Sequence, residues 1–421
     1  MRTLPRDVAE EVEPAEVAQP GPPAPPEEAA QRPRSMIGRA ADWTTLLGVF
    51  LAPLYGKAIG GINGIAYADI ALGLAMMIRV VDLLMGGVRP GIIKRQSFLL
   101  GLMSVIAVDG IVTALIAGRN PLQWEFDRII IATVTTVLLV ATYGTQDRAA
   151  RRHIVVAFVT GATVLAFTSF GGLRLNGRPL GWSTHPNALG HSCMMGTFAA
   201  LWLVDNSSKR LERLCWAGAA GLNVIAIMNS GSRGGFLGLA AGGLVYLLRS
   251  GNRRMKLGAI FCAWMAVAIV MGGIVHLPAN NPITRLLTSH QANTSSGLSD
   301  QARNQLLADD LAKITHHPIL GVGFHDIWLV HVAYLQPWVG AGAAAGLMGM
   351  LIGLAMLLLP WVTRRRDVAL ACAATAVAIA WLMTNIFTLR DQWIVIALAF
   401  ANADSISVLG RSREDRREAL G

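Results

Sequence analysis

The sequence predicts an all-α, polytopic membrane protein with about twelve transmembrane helices and one large extracytoplasmic loop. Two observations predict this class. Hydrophobic residues make up 53% of the 421 residues and charged residues only 15%, which leaves too little polar surface for a soluble protein of this length. The apolar residues also come in blocks of about 18–22, the length of a helix that crosses the hydrocarbon layer.

The predicted elements follow one another along the chain. Residues 1–40 are rich in Pro, Ala and Glu, so we expect a disordered cytoplasmic tail there. Residues 41–410 form the predicted transmembrane domain, and 411–421 a second cytoplasmic tail. The predicted spans lie at approximately 43–61, 64–86, 97–117, 128–146, 153–171, 187–205, 213–229, 234–249, 257–276, 338–361, 368–388 and 393–410.

Basic residues predict the orientation of these spans. They occur in every second connection, in the segments RPGIIKR, QDRAARR, SSKRLER, SGNRRMK, TRRR and RSREDRR. The positive-inside rule places these segments and both termini in the cytoplasm, with the spans in a bacterial inner membrane. The net charge of +10 is thereby explained by topology and anionic membrane lipids, and we expect no nucleic-acid partner.

The longest outward-facing connection is predicted at residues 277–337. Within it, SDQARNQLLADDLAKI has apolar residues at helical spacing, which predicts an amphipathic helix over the mouth of the bundle. Its apolar side is expected to carry Leu306, Leu307, Leu311 and Ile314. Loops of this length are usually functional.

Arginines on the outward side are disfavoured by topology and therefore call for a reason. These residues are Arg174, Arg178, Arg233, Arg285, Arg303 and Arg390, and the histidines on the same side are His185, His316, His317, His325 and His331. Two Gly-rich segments that break helix geometry carry arginines at predicted helix starts, residues 171–191 with Arg178 and residues 229–239 with Arg233. A helix that starts at such a bend has free N–H groups. Guanidinium groups there suit a diphosphate.

Three stretches in order resemble the O-antigen ligase and polymerase superfamily of membrane glycosyltransferases. RPLGWSTHPNALG, residues 178–190, is similar to the family's R-x-x-G element followed by His/Asn-Pro-Asn. NSGSRGGFLGL, residues 229–239, resembles its Ser-Arg-Gly element. The segment from residue 299 to HVAYLQ at 331–336 resembles the end of its periplasmic loop, where a catalytic histidine follows His-Pro-x-x-Gly-x-Gly.

The resemblance implies roles for individual residues. Arg178 and Arg233 stabilise a diphosphate leaving group, and His331 positions the acceptor hydroxyl or accepts its proton. The second-rank candidates for binding the substrate are Arg174, Arg303, His325 and Tyr334. Val332 replaces the family's Asn, and Gly340 replaces a common Glu. His325 therefore stays open as an alternative to His331.

The resemblance also implies the reaction partners. The donor is a glycan linked to a polyprenyl diphosphate, and the acceptor is a glycan, a lipid or the cell wall. Enzymes of this kind use neither ATP nor a metal or other cofactor, and neither a P-loop nor metal-ligand spacing occurs in the sequence.

Two other functions remain open from the sequence. A secondary transporter has a similar span count and uses ionisable residues inside the membrane. Asp69, Asp82 and Asp109 lie in or near predicted spans, although Arg79 is placed to pair with Asp82. A non-catalytic component of polysaccharide export is the second alternative. For His185 we favour a structural contact at a helix start beside Pro186.

Overall fold

The computed structural model describes residues 35–54, 66–85, 97–116, 133–140, 148–171, 173–183, 185–249, 281–287, 295–323, 330, 332–384 and 390–401. This part of the chain is almost entirely α-helical, as predicted. The first helices are α1 (Met36–Leu51), α2 (Tyr67–Leu84), α3 (Ser97–Ile116), α4 (Arg148–Thr168), α5 (Pro186–Asn206), α6 (Arg210–Ser230) and α7 (Arg233–Arg249). They are followed by α8 (Pro282–Leu287), α9 (Ser295–His316), α10 (Leu335–Ala341), α11 (Ala343–Val362), a 3₁₀ turn (Arg365–Asp367), α12 (Val368–Trp381) and α13 (Arg390–Ala401).

Three of the described helices, α4, α6 and α11, are long and apolar enough to cross a membrane. Other described helices are too charged or too short to meet this criterion. Helix α2 carries three charged side chains, and α12 and α13 have 14 and 12 residues. The total of twelve spans and the predicted loop at 277–337 stay predictions, as do the tails, although α1 begins at Met36, inside the range predicted as tail.

The centre of the bundle is formed by α5, α12 and α13. Nearly every residue of α12 and α13 is buried, and so is most of α5. Helix α12 has the sequence VALACAATAVAIAW, whose small side chains let neighbouring backbones approach closely. It packs against α5, α7, α11 and α13. A helix that is apolar all round belongs in an interior position, so these three helices form the scaffold on which the others lie.

Helices α5 and α7 cross at a pair of glycines. A Cβ added to Gly235 would lie 2.9 Å from the carbonyl carbon and oxygen of Gly190, and one added to Gly190 would lie 2.4 Å from the Cβ of Ser232. No side chain fits at this crossing. Because the two backbones approach this closely, the start of α7 lies directly against the start of α5.

Charged side chains between the helices are paired. Arg79 of α2 donates to Asp82 at 3.0 Å and also to Asp42 of α1. Its predicted pairing with Asp82 is therefore confirmed. Asp69 receives two hydrogen bonds from Arg390 of α13, and Asp109 of α3 accepts from the backbone N–H of Ala345 at 3.2 Å.

The loop helix predicted at 299–314 is present within α9. Leu306, Leu307 and Ile314 are half-buried on its inner side, but Leu311 is 49% exposed and does not belong to that side.

One small element was not predicted. Strands β1 (Arg174–Leu175) and β2 (Arg178–Pro179) form a hairpin in which Leu175 pairs with Arg178. Asn176 and Gly177 turn it with φ of 53° and 76°, the positive φ values that an Asn-Gly hairpin turn adopts.

Candidate functional site: an arginine cluster

The site is built on the sharp turn between α6 and α7. Gly231 ends α6 in the left-handed region with φ of 61°, which glycine adopts without a steric penalty. The side chain of Ser232 accepts from Gly235 N–H at 3.2 Å and so caps α7, while Ser230 Oγ accepts from Ser232 N–H at 3.1 Å. Because these hydroxyls use N–H groups of the turn, the positive charge of the site comes mainly from side chains. The split of 213–249 into two helices is confirmed.

Arg178 reaches this turn from the hairpin. Its Nε–H donates to the carbonyl of Ser230 at 2.7 Å, and one of its terminal N–H groups donates to Asn187 Oδ1 at 2.9 Å. The last carbonyls of a helix have no partner inside the helix, so they favour a cation at that end. These two bonds use two of five N–H donors. They fix a buried guanidinium between α6 and α5.

Arg285 approaches the same turn from α8. One of its N–H groups donates to the carbonyl of Gly231 at 2.6 Å, and its side chain is buried. Two arginines from distant parts of the chain are therefore held on neighbouring carbonyls at the end of α6.

Arg233, the first residue of α7, pairs with Asp300 of α9. One terminal N–H group donates to Asp300 Oδ2 at 2.7 Å and the other donates to Oδ1, so the contact is bidentate. Arg303, one turn further along α9, lies 3.6 Å from Asp300 Oδ1. Four guanidinium charges against one carboxylate charge leave a net charge of +3 in the cluster.

The pKa values of the cluster reflect this crowding of positive charge. Burial lowers the pKa of Arg178 to about 9, and the charges of Arg285, Arg303 and Arg233 act in the same direction. Burial, followed by the charge of Arg233, lowers the pKa of Arg303 to about 10. For Asp300, burial alone would raise the pKa, but hydrogen bonds and charge from Arg233 outweigh it and the pKa is lowered. With these pKa values Arg178 and Arg303 stay protonated and Asp300 stays ionised at neutral pH, so the cluster attracts an anion.

His185 borders the cluster as the N-cap of α5. Its Nδ1 accepts from the N–H of Asn187 at 3.1 Å, which confirms the predicted contact at the helix start. The side chain is open to solvent on one side. Desolvation on its other side, with the positive charges of Arg178, Arg303 and Arg285, lowers its pKa from 6.5 to about 4. His185 is therefore a neutral hydrogen-bonding group at pH 7.

The structure brings together three of the predicted arginines, Arg178, Arg233 and Arg303. Arg174, four residues before Arg178, is exposed on β1. Tyr334 donates from its hydroxyl to the carbonyl of Ala378 at 3.0 Å and packs edge-on against Trp381, so the structure places it between helices. His331 and His325 lie outside the described residues, and their roles stay predictions.

Sequence reasoning missed three residues of the site. Arg285 is one of the outward-facing arginines but not one of the predicted site residues, and neither Asn187 nor Asp300 is among the predictions. Asn187 stands inside the Pro-Asn element of residues 186–187, and Asp300 lies one helical turn before Arg303. That spacing was the available signal for Asp300.

His191 packs against the start of α7, next to the arginine cluster. It is fully buried in α5, and its Nε2 lies 3.2 Å from Thr384 Oγ1. A Cβ on Gly234 would lie 2.9 Å from the imidazole Cε1 of His191. His191 therefore occupies the space beside Gly234, the residue that follows Arg233.

The cluster is chemically suited to bind an anion with several oxygens. Guanidinium groups form paired hydrogen bonds with phosphate oxygens, and +3 exceeds what one carboxylate or monophosphate neutralises. Among the residues that the structure describes, no group of three His, Cys, Asp or Glu side chains is placed to hold a metal ion.

Comparison with known proteins gives one match. Residues 218–343 match the family model described as O-antigen ligase. The matched segment contains Arg233, Arg285, Asp300 and Arg303, and Arg178 precedes it. No curated protein matches the chain in sequence.

Proposed function

We propose that this chain, whose residues 218–343 match the O-antigen ligase family model, transfers a glycan from a polyprenyl diphosphate carrier to an acceptor hydroxyl at the extracytoplasmic face of the bacterial inner membrane. One observation carries the proposal. Arg178, Arg233, Arg285 and Arg303 come from four separate segments and converge around the end of α6.

In the proposed reaction the acceptor oxygen attacks the anomeric carbon of the donor sugar. The bond between that carbon and the diphosphate oxygen breaks, and its electron pair stays on the diphosphate. The hydroxyl proton passes to a base. The leaving diphosphate gains one negative charge, so groups that bind it more tightly than the intact donor lower the barrier.

The arginines fit this role because they are held in place before the substrate arrives. Arg178 and Arg285 are fixed on the carbonyls of Ser230 and Gly231. Preorganised donors need no rearrangement as the charge develops. We assign the diphosphate, which becomes the leaving group, to Arg178, Arg233 and Arg285, and the donor's first sugar to Arg303 and, more peripherally, Arg174.

We assign the acceptor side to His331, by resemblance to the family. An imidazole of ordinary pKa, about 6.5, can accept the hydroxyl proton near neutral pH. The neighbouring described residues are anchored to the core, since Ala333 N–H donates to the carbonyl of Trp381 at 3.0 Å and Val330 is fully buried. His185 is a poor alternative as a base because of its low pKa.

The transporter alternative loses its strongest support. The aspartates that suggested it are engaged, Asp82 with Arg79, Asp69 with Arg390 and Asp109 with the N–H of Ala345. Carboxylates that carry protons or ions through a membrane have to exchange partners.

The proposal is tested by glycan transfer with the purified full chain, an undecaprenyl diphosphate-linked saccharide and an acceptor mixture, with a chelator present and ATP absent. We expect transfer by the wild type and by Arg210→Ala, an exposed position at the opposite end of α6. We expect none by Arg178→Ala, Arg233→Ala or His331→Ala. Normal turnover in the three site variants would refute the site.

A further inference from the structure

The guanidinium of Arg233 is already occupied in the structure. Both of its terminal nitrogens donate to the two carboxylate oxygens of Asp300. This parallel arrangement is the one in which arginine also binds two oxygens of a phosphate group. Arg233 cannot hold Asp300 and a phosphate in this way at the same time.

Building on the proposed function, we propose that Asp300 is a competing anion in the donor site. It takes the place of a phosphate group on Arg233 when the site is empty, is displaced by the donor's diphosphate, and returns as the product diphosphate leaves. Asp300 would then set the affinity of the site for its donor and the rate of product release.

The two partners differ in a way that makes this exchange feasible. The side chain of Arg233 is 8% exposed and that of Asp300 is 28% exposed. Arg233 opens α7, against the crossing with α5, whereas Asp300 lies on α9, whose residues are mostly exposed or half-buried. Arg233 is therefore the fixed partner. Asp300 is already partly solvated, so it regains water contacts when it leaves Arg233.

A second arginine can hold Asp300 after it is displaced. Arg303 lies 3.6 Å from Asp300 Oδ1 on the same face of α9. A shift of the carboxylate from Arg233 to Arg303 leaves Arg178, Arg233 and Arg285 to the diphosphate. Each charge then keeps a counter-charge, so the exchange does not bury an unpaired ion.

The exchange of Asp300 for the diphosphate also provides a way for the product to leave the site. The diphosphate product carries one more negative charge than the donor, so a site of four arginines with no competing anion would hold the product more tightly than the donor. Removing Asp300 should therefore strengthen binding and slow turnover. An Asp300 that served only to orient Arg233 would have the opposite effect on binding.

The test compares Asp300→Asn with Asp309→Asn, an exposed position on the same helix. The probe is farnesyl diphosphate, titrated into the purified full chain, and the donor kinetics are measured in parallel. We expect the Kd of farnesyl diphosphate to fall roughly tenfold in Asp300→Asn, because the competing state is removed. KM for the donor and kcat should both fall. Asp309→Asn should match the wild type within about twofold.

Hydrogen exchange of the wild type gives a second measurement that needs no variant. Farnesyl diphosphate should increase amide exchange around Asp300 in α9 and leave that of α12 unchanged. Unchanged exchange in α9, or a Kd in Asp300→Asn that is equal to or weaker than that of the wild type, overturns the competition. If the wild type and Asp300→Asn both fail to bind the probe, the proposed diphosphate site itself is wrong.

Discussion

Arg178 shows how single contacts prepare the site. Its bonds to Ser230 and Asn187 hold the guanidinium in one orientation. Its pKa of about 9 keeps it protonated at neutral pH although it is buried among like charges. That lowered pKa reflects burial first and repulsion by the other three arginines of the cluster second, and an incoming anion relieves the repulsion. The repulsion among the arginines is therefore one source of the affinity for a diphosphate.

The pH dependence of transfer distinguishes two histidines. The pKa of His185 is about 4, so this residue stays neutral above about pH 5 and should not appear in the rate profile. An imidazole base with the unperturbed pKa of about 6.5 should give an acid limb near that pH, and the base proposed here is His331. We predict that His185→Asn, which keeps a capping oxygen, shifts the midpoint of that limb by less than about 0.3 unit. Loss or a large shift of the limb in kcat/KM would make His185 the base.

Arginines near bent backbone predict Arg178 and Arg233 as site residues, and the structure places both at the α6–α7 turn. Arg285 and Asp300 were not predicted as site residues, because their role depends on how α8 and α9 are placed against the α6–α7 turn. Nothing in the sequence around them encodes that distance. In the sequence, Asp300 is one of three aspartates in the segment 299–314, and nothing there distinguishes it from the other two.

At the scale of helices, the site depends on the close crossing of α5 and α7. We predict that Gly235→Ala destabilises the protein by about 1–3 kcal/mol, because its Cβ would meet the Gly190 backbone at 2.9 Å. It should also lower transfer by moving Arg233. Thermal unfolding in detergent and the transfer rate measure the two effects.

Gly243→Ala is the matched control on the same helix. A Cβ at this position has no neighbour within 4 Å, so the substitution should be neutral or stabilise α7 by about 0.5–1 kcal/mol. Equal effects of the two substitutions would mean that the crossing does not position the site.

Helix positions were predictable to within three residues where apolar blocks meet polar bends, as at α5, α6 and α7. The hairpin was missed because its strands have only two residues each. Its Asn176-Gly177 turn was nevertheless a visible signal. The predicted span 338–361 joins the end of α10 to nearly all of α11, because no polar residue marks Gly342, where φ is 95°.

For the whole molecule, buried ion pairs connect helices that are far apart in sequence. Arg390 of α13 donates to both oxygens of Asp69 in α2, and both side chains are nearly buried. Such pairs contribute to specificity, and breaking one leaves an uncompensated charge. The sequence predicted the pairing of Arg79 with Asp82, three residues apart, but not that of Asp69 with Arg390, because only local pairs are visible in a sequence.

We predict that Arg390→Ala lowers stability by about 3–5 kcal/mol, because Asp69 is left buried without its partner. The double variant Asp69→Asn, Arg390→Gln should recover a large part of this loss. Thermal unfolding of both proteins in detergent gives the comparison. If the double variant is no more stable than Arg390→Ala, the ion pair is not what connects α2 and α13.

The central claim is that buried arginines stabilise the leaving diphosphate, and the most direct measurement is kcat for transfer at saturating donor in Arg178→Ala. Stabilisation of the transition state predicts a fall in kcat of about 100-fold or more, with Arg210→Ala unchanged. A variant with wild-type kcat and only a raised KM would show that the cluster holds the donor without assisting its cleavage, and would contradict the claim.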